Sequence, residues 1–520
     1  MQRLQRWPGW VRPSLGDLFL ISLGVWLFAI ASGWMALLAD GDIGWHIRTG
    51  QWILNTHSVP RSDLFSFSQS GASWFAWEWL SDVIFARLWR SWGLAGVVVL
   101  AACVIVLAAW AVFRHMLWRG ANVLVALGVV LVSVGASSIH FLARPHVFTL
   151  LLLAISLGIV ERDRRRPGAA VWLLIPLSAL WVNLHSGFFA LPACLTVLAA
   201  GLAIEAWIDR EHRGESWSAC RRYAGLAAAC VAASLANPYG ISLHRHIASY
   251  LTSDWIRSAV DEFQSPRFRS ESLMHFEALL LLALLLAGRW MTRGRVADAL
   301  LVLFWAHLAL GSVRHVPLFA IVSAPLVAAE LSQLWERRAR AWPPRSVGRI
   351  LWALGNDMAG SFGRLSVWSA MLAAAVLLLT PASRWPRDFP ASTFPVSLVH
   401  AENKRLAQAR VFTSDQWGDY LIYHGWPPQK VFIDGRSDFY GPLIGGEYLR
   451  LMQGQPGWES LFGKYAFSMA LIPRAWPLAA LLDRDPAWRR IRADRLAVLY
   501  ERQADRATAR PNQTVVLRRY

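Results

Sequence analysis

Residues 121–160 read ANVLVALGVVLVSVGASSIHFLARPHVFTLLLLAISLGIV. Two apolar runs, 121–141 and 146–160, meet across Arg144-Pro145-His146. Arginines close both outer ends, at 114–119 before the pair and at 162–166 after it. A membrane span needs about 20 apolar residues, within roughly 17–25. The second run is short for that, but two crossings are needed to return the chain from one arginine cluster to the next. The segment therefore reads as a transmembrane hairpin with arginines on one side and Arg144-Pro145-His146 on the other.

The same pattern extends along the chain. Further apolar runs lie at roughly 15–38, 93–113, 169–182, 188–207, 222–236, 275–288, 297–311, 316–334 and 365–380, and further arginine clusters at 3–12, 210–222, 289–295 and 337–364. The positive-inside rule orients these clusters toward the cytoplasm. The expectation is an α-helical polytopic membrane protein of about eleven spans in the cytoplasmic (inner) membrane. Its N-terminus lies inside, and a small C-terminal α/β domain lies outside. Ala29-Ile30-Ala31 resembles a signal-peptide cleavage site, yet the run around it is too long for one and reads as an anchor.

Composition agrees. The 520 residues are 55% apolar and 17% charged, with a mean hydropathy of +0.34; a soluble chain carries about 25% charge. The 30 Trp suit membrane–water interfaces. These values exclude a secreted enzyme, a coiled coil and a disordered scaffold. The net charge of +18 sits in short loops between apolar runs, so nucleic acid is not the expected partner. Cys103, Cys194, Cys220 and Cys230 lie in or near apolar runs, with no disulfide framework or zinc spacing.

The outer side receives the unusual polar residues. Residues 1–380 form the membrane domain, with a large first outer loop at 40–92. Asp40-Gly41-Asp42 opens that loop; the pair can hold a divalent cation, or one carboxylate can accept a proton from an attacking hydroxyl. His46 follows Asp42 by one helical turn, within reach of its charge. Arg48 adds a fixed cation. Ile43, Ile47 and Leu54 form the stripe of a helix expected to lie in the interface. Glu78 sits between Trp77 and Trp79, where rings can stack on a sugar and an acid can accept its hydroxyl hydrogens.

Residues 381–398 read as a linker, and 399–520 as the α/β domain, with strands expected near 409–412, 430–433, 469–472, 496–500 and 514–517. Asp434-Gly435-Arg436 follows one of them as a turn. Asn237-Pro238-Tyr239-Gly240 reads as a helix stop. No internal repeat is present.

The run Asp40-Gly41-Asp42-Ile43-Gly44-Trp45-His46-Ile47-Arg48, with Val59-Pro60-Arg61-Ser62-Asp63-Leu64-Phe65-Ser66 and Glu78-Trp79-Leu80, resembles the first outer loop of bacterial members of the GT-C glycosyltransferase superfamily. That superfamily includes protein mannosyltransferases, oligosaccharyltransferase catalytic subunits and lipid A aminoarabinose transferases. Arg144-Pro145-His146, Trp181-Val182-Asn183-Leu184-His185, Glu262-Phe263-Gln264-Ser265-Pro266, Arg314-His315, Trp417-Gly418-Asp419 and Asp434-Gly435-Arg436 extend the resemblance over most of the chain.

The resemblance implies a membrane glycosyltransferase that uses a polyprenyl-phosphate-linked sugar donor at the outer membrane face. Its acceptor is a glycan, lipid or protein, and membrane lipids are its surroundings. Asp40 and Asp42 match the superfamily's acidic pair and are the expected catalytic residues. Glu78-Trp79-Leu80 stands where better-known members carry a His-Pro-Pro-type motif. Arg144 and Arg314 are placed to grip the donor phosphate, and His146 and His315 to add a hydrogen bond or a proton. Asn183, His185 and Glu262 are placed to bind the substrate. A divalent cation is compatible with the acidic pair; no metal ligand is assigned. The competing classes are a transporter or flippase and a non-catalytic envelope-assembly protein. Convergence of Asp40, Asp42, Arg144, His185 and Arg314 on one cavity would favour the enzyme.

Overall fold

The computed structural model describes residues 8–30 and 33–503. The strand expected at 514–517 lies outside them. The chain divides into two compact units, one of residues 1–61 and 74–389, the other of residues 62–73 and 390–520.

The first unit is helical. It runs α1 (Leu15–Gly24), a π-helical turn (Val25–Ile30), α2 (Gly33–Ala36), α3 (Ile43–Thr56), α4 (Trp79–Trp118), α5 (Val123–Ser137), α6 (His146–Arg165), α7 (Leu174–Leu184) and α8 (Ala190–Ile208). It continues through α9 (Arg213–Ala233), α10 (Ile241–Thr252), α11 (Asp254–Ala259), α12 (Glu271–Met291), α13 (Val296–Gly311), α14 (Val316–Ala341), α15 (Val347–Phe362) and α16 (Val367–Leu379).

Polar caps start several of these helices: Asn122 accepts from the Leu124 N–H, Ser270 from that of Leu273 and Ser366 from that of Trp368. α4 breaks at Trp92 and Gly93, where Gly93 has φ +59°. The break separates an amphipathic entry segment from the apolar run that follows. Arg162, Arg164 and Arg165 fill the last turn of α6, where cations complement the helix dipole.

All eleven apolar runs are helical over most of their length. Among the described residues, five helices are long and apolar enough to cross a membrane, six if α15 and α16, bent by 79°, make one span. By length and composition, this confirms only part of the expected eleven crossings. The runs in α1, α7 and α13 are shorter, and α6 and α9 carry charged residues within their ends. One apolar core runs through the unit, with Phe113, Trp181, Phe276, Trp290 and Phe319 fully buried.

α3 departs from the expected interfacial helix. Ile43, Trp45, Ile47 and Ile53 are buried, because Gly50 lets its backbone approach α4. The helix packs inside the unit rather than lying on an open face.

The second unit is an α/β domain with sheet order β1-β2-β4-β3. β1 (Val411–Thr413) pairs parallel with β2 (Met469–Pro473), β2 antiparallel with β4 (Ala497–Arg502), and β4 antiparallel with β3 (Trp488–Ala493). Helices α17 (Val396–Leu406), α18 (Asp415–Gly425), α19 (Ser437–Met452), α20 (Trp458–Lys464) and α21 (Pro477–Leu482) complete it. The run 430–433 forms no strand: Val431 makes a single parallel bridge with Ser66. β3 was not expected, since the three arginines of its WRRIRA sequence mask an edge strand.

Candidate active site

Arg144 organises the site. Its turn lies between the short helix Ser138–His140 and α6. Nη1 donates to Asp40 Oδ2 at 2.8 Å and Glu262 Oε1 at 3.1 Å, and Nη2 approaches Asp42 Oδ2 at 2.6 Å. Three carboxylates thus share one guanidinium. Burial opposes its charge, but Asp40, Asp42 and Glu262 outweigh that and raise its pKa well above the ordinary value. Burial likewise opposes ionisation of Glu262, and Arg144, followed by His140 and Arg314, holds it well below the usual carboxylate range. Asp40 also accepts the Asp42 backbone N–H at 2.9 Å, which fixes the Asp-Gly-Asp turn at the start of α3.

Next to this cluster lies a cavity of about 230 Å³. Glu78, Arg144, His146, His185, Glu262, Arg314 and His315 all line it. They come from the N-terminal ends of α4, α6 and α14, the turn after α7 and the loop after α11. Asp40 and Asp42 stand behind Arg144 and are not on the wall.

Glu78 is 8% exposed. Its Oε2 faces His46 Nε2 at 3.5 Å and its Oε1 faces His185 Nε2 at 3.4 Å. The His185 tautomer follows from its other nitrogen. The Gly187 N–H donates to Nδ1 at 2.9 Å, and Thr149 Oγ1 lies 2.8 Å away. Nδ1 is therefore an acceptor, and Nε2 carries the proton toward Glu78. Thr149 is itself fixed by the Trp181 indole N–H at 2.8 Å. Burial, then His146 and Arg314, push the His185 pKa well below its ordinary value.

His46 is 1% exposed, and its Nδ1 lies 2.5 Å from Asp82 Oδ1. Atoms that close hold a proton between them. The carboxylate on this nitrogen is Asp82 of α4, not Asp42, the neighbour expected one helical turn away in the sequence. Burial and then Arg144 lower the His46 pKa well below its ordinary value.

Arg314 lies over Phe263, 4.4 Å from the ring centroid, and over Tyr250 at 5.8 Å. Its buried Nη1 has no hydrogen-bond partner among the described residues. Among the described residues no carboxylate forms an ion pair with it, although its charge reaches Glu262. His315 Nδ1 lies 3.2 Å from the Leu308 carbonyl, and His146 Nε2 lies 2.6 Å from the His140 carbonyl.

Two expected site residues do other work. Asn183 accepts the Trp79 indole N–H at 2.7 Å and donates to the Ala179 and Ala236 carbonyls, so its amide braces α4, α7 and the end of α9. Arg48 donates to Gln51 at 2.7 Å and lies over Trp89, and it is not on the wall. The Trp rings flanking Glu78 are also committed, Trp79 to Asn183 and Trp77 to packing on His246 and Tyr250. Asp82, His140 and Thr149 were missed. Asp82 follows Glu78 by four residues on a helix, and that spacing was a usable signal; His140 and Thr149 gave none. Asn237-Pro238-Tyr239-Gly240 is a turn between α9 and α10, with Tyr239 donating to the Pro60 carbonyl and accepting the Ala76 N–H.

No family model and no curated protein matches the chain. Solved structures do resemble it. One is an archaeal oligosaccharyltransferase, AglB from Archaeoglobus fulgidus, in complex with an inhibitory peptide and a dolichol-phosphate. It is 13% identical, with a TM-score of 0.49, over 88% of this chain and 68% of that one. Another is ArnT from Cupriavidus metallidurans bound to undecaprenyl phosphate, 12% identical, with a TM-score of 0.48, over 94% of this chain and 98% of that one. The apo state of ArnT gives 13%, 0.46, 92% and 97%. At such identities the chemistry has to be read from the site itself.

Proposed function

We propose that this chain is a multi-pass membrane glycosyltransferase that moves a sugar from a polyprenyl-phosphate donor to an acceptor hydroxyl at the outer face of the membrane. The observation that carries this reading is the gathering of Glu78, Arg144, His185, Glu262 and Arg314 around one cavity at the ends of apolar helices. A transporter would instead place its ionisable groups near the middle of its spans.

The donor phosphate goes to Arg314, whose buried N–H is uncommitted. Arg144 is occupied by three carboxylates and acts as a clamp on the acidic turn. The acceptor oxygen attacks C1 of the sugar, the C1–O bond to phosphate breaks, and polyprenyl phosphate leaves. The acceptor proton goes to Glu78, the wall carboxylate whose oxygens face the imidazoles of His46 and His185 at 3.5 and 3.4 Å. Asp40 and Asp42 hold Arg144 and thereby the shape of the site. Catalysis here is position and charge, since phosphate is already a good leaving group. A cation held by Asp40, Asp42 and Glu262 would have to displace Arg144 or share its ligands, and no step depends on one.

The test uses the purified protein in lipid with a panel of radiolabelled polyprenyl-phosphate sugars. Glu78→Gln is expected to lower kcat about 10²–10⁴-fold with little change in donor KM. Arg314→Gln is expected to raise donor KM, and to weaken binding of polyprenyl phosphate itself. Full turnover in Glu78→Gln, with loss in Asp42→Asn, would return the proton to Asp42. Absence of both turnover and polyprenyl-phosphate binding in the wild type would refute the transferase.

A further inference from the structure

The helices that open at the cavity end in a second charged cluster. α4 ends at Trp118 and α6 at Arg165, α14 carries Glu330 along its length, and α13 begins beside Asp298. α6 spans 20 residues, about 30 Å at 1.5 Å per residue, which is the thickness of a bilayer's hydrocarbon core.

Three buried carboxylates anchor this cluster, and each meets three arginines. Glu161 meets Arg119, Arg164 and Arg165. Asp298 meets Arg119, Arg164 and Arg295. Glu330 meets Arg289, Arg293 and Arg295. Six different arginines therefore share three acids, a surplus of three positive charges. Arg162 and Arg166 add two more; both are exposed and no side-chain partner is recorded for either among the described residues. Uncompensated cations at a membrane surface draw anions.

A surface pocket of about 440 Å³ opens at this place, lined by Trp118, Glu161, Arg162, Arg165 and Arg166. Glu161 is already saturated, so the pocket presents arginines to its occupant. Trp118 is 43% exposed at the end of the apolar run of α4, with the Arg114 guanidinium over its ring. An indole at that depth marks the boundary between tails and headgroups. We propose that this pocket binds the phosphodiester headgroup of an anionic membrane lipid, held by Arg162 and Arg166 with its glycerol backbone against Trp118. The site lies at the opposite helix ends from the cavity and is independent of the transferase reading.

The experiment is native mass spectrometry of the full chain in neutral detergent, titrated with phosphatidylglycerol and with phosphatidylcholine of the same acyl chains. Phosphatidylglycerol is expected to bind about tenfold or more tightly than phosphatidylcholine. In R162Q/R166Q it is expected to fall to the phosphatidylcholine level, with helix content unchanged by circular dichroism, and R162K/R166K is expected to retain most of the preference. If the double variant loses helix content, Arg166→Gln alone, at the exposed end of α6, is read in its place. Equal binding of the two lipids overturns the proposal, as does a preference untouched by removing the arginines. Displacement of phosphatidylglycerol by equimolar inorganic phosphate would assign the pocket to a soluble anion and overturn the lipid.

Discussion

His46 and His185 face Glu78 from two sides, and both are held neutral by burial and nearby cations. An unfolded histidine titrates near 6.5, so below that pH the unfolded chain binds protons that the folded chain refuses. Stability is then fully present above about pH 6.5 and falls as the pH drops, by about 1.4 kcal/mol per unit for each histidine. Thermal unfolding in detergent between pH 7.5 and 5.5 should show this decline, and His185→Gln should shrink it. A flat profile would mean that these imidazoles are protonated in the folded protein. Residue types were legible here: Arg144, His185 and Arg314 stood out at the ends of apolar runs, where polar side chains are costly without a purpose, Glu78 by the tryptophans on either side of it, and Glu262 by the motif it opens. Partner choice was not legible. The sequence offers Asp42 as the neighbour of His46 at one helical turn; the fold sets Asp82 there, because α3 packs on α4.

Gly50 makes that helix pairing possible. A Cβ at this position would lie 1.9 Å from the Asp82 carbonyl oxygen and 2.8 Å from the Ala86 Cβ. Gly50→Ala therefore has to move α3 off α4, at a cost of about 1–3 kcal/mol or more, and the move would lengthen the His46–Asp82 contact one turn away. A thermal-shift measurement should show the loss, and turnover should fall with it. Gly225→Ala in α9 is the control, since nothing lies within 4 Å of its Cβ; it should be neutral or slightly stabilising. An equal effect at both positions would contradict close helix packing as the cause. Among elements, the apolar runs were legible as helices because hydropathy alone marks them. β3 was not, because an edge strand with arginines facing out has no apolar alternation to read.

The second unit joins two distant stretches of chain, and a buried ion cluster holds them. Arg436 is 3% exposed and donates to Asp63 Oδ1 at 2.8 Å and to Asp434 at 2.6 and 2.7 Å. Tyr440 donates to Asp434 at 2.7 Å, and Phe65 and Phe439 flank the guanidinium. Arg436→Met leaves two buried carboxylates without their cation and should cost about 3–5 kcal/mol. Segment 62–73 should then become sensitive to protease. Unchanged stability and protease resistance would show that the segment is held by its apolar contacts alone. Asp434-Gly435-Arg436 reads in sequence as a surface turn, and the buried role appears only with Asp63 beside it.

Composition and the spacing of apolar and arginine runs, by themselves, determined a multi-pass helical protein with its polar chemistry at helix ends, because burial in lipid constrains every residue of a span locally. The tertiary structure decided which carboxylate meets which cation. It bound Asp40 and Asp42 to Arg144, left Arg314 facing the cavity, and carried residues 62–73 into the second unit. Those pairings join residues dozens to hundreds of positions apart, and no local pattern encodes a contact that exists only once helices from distant parts of the chain have packed.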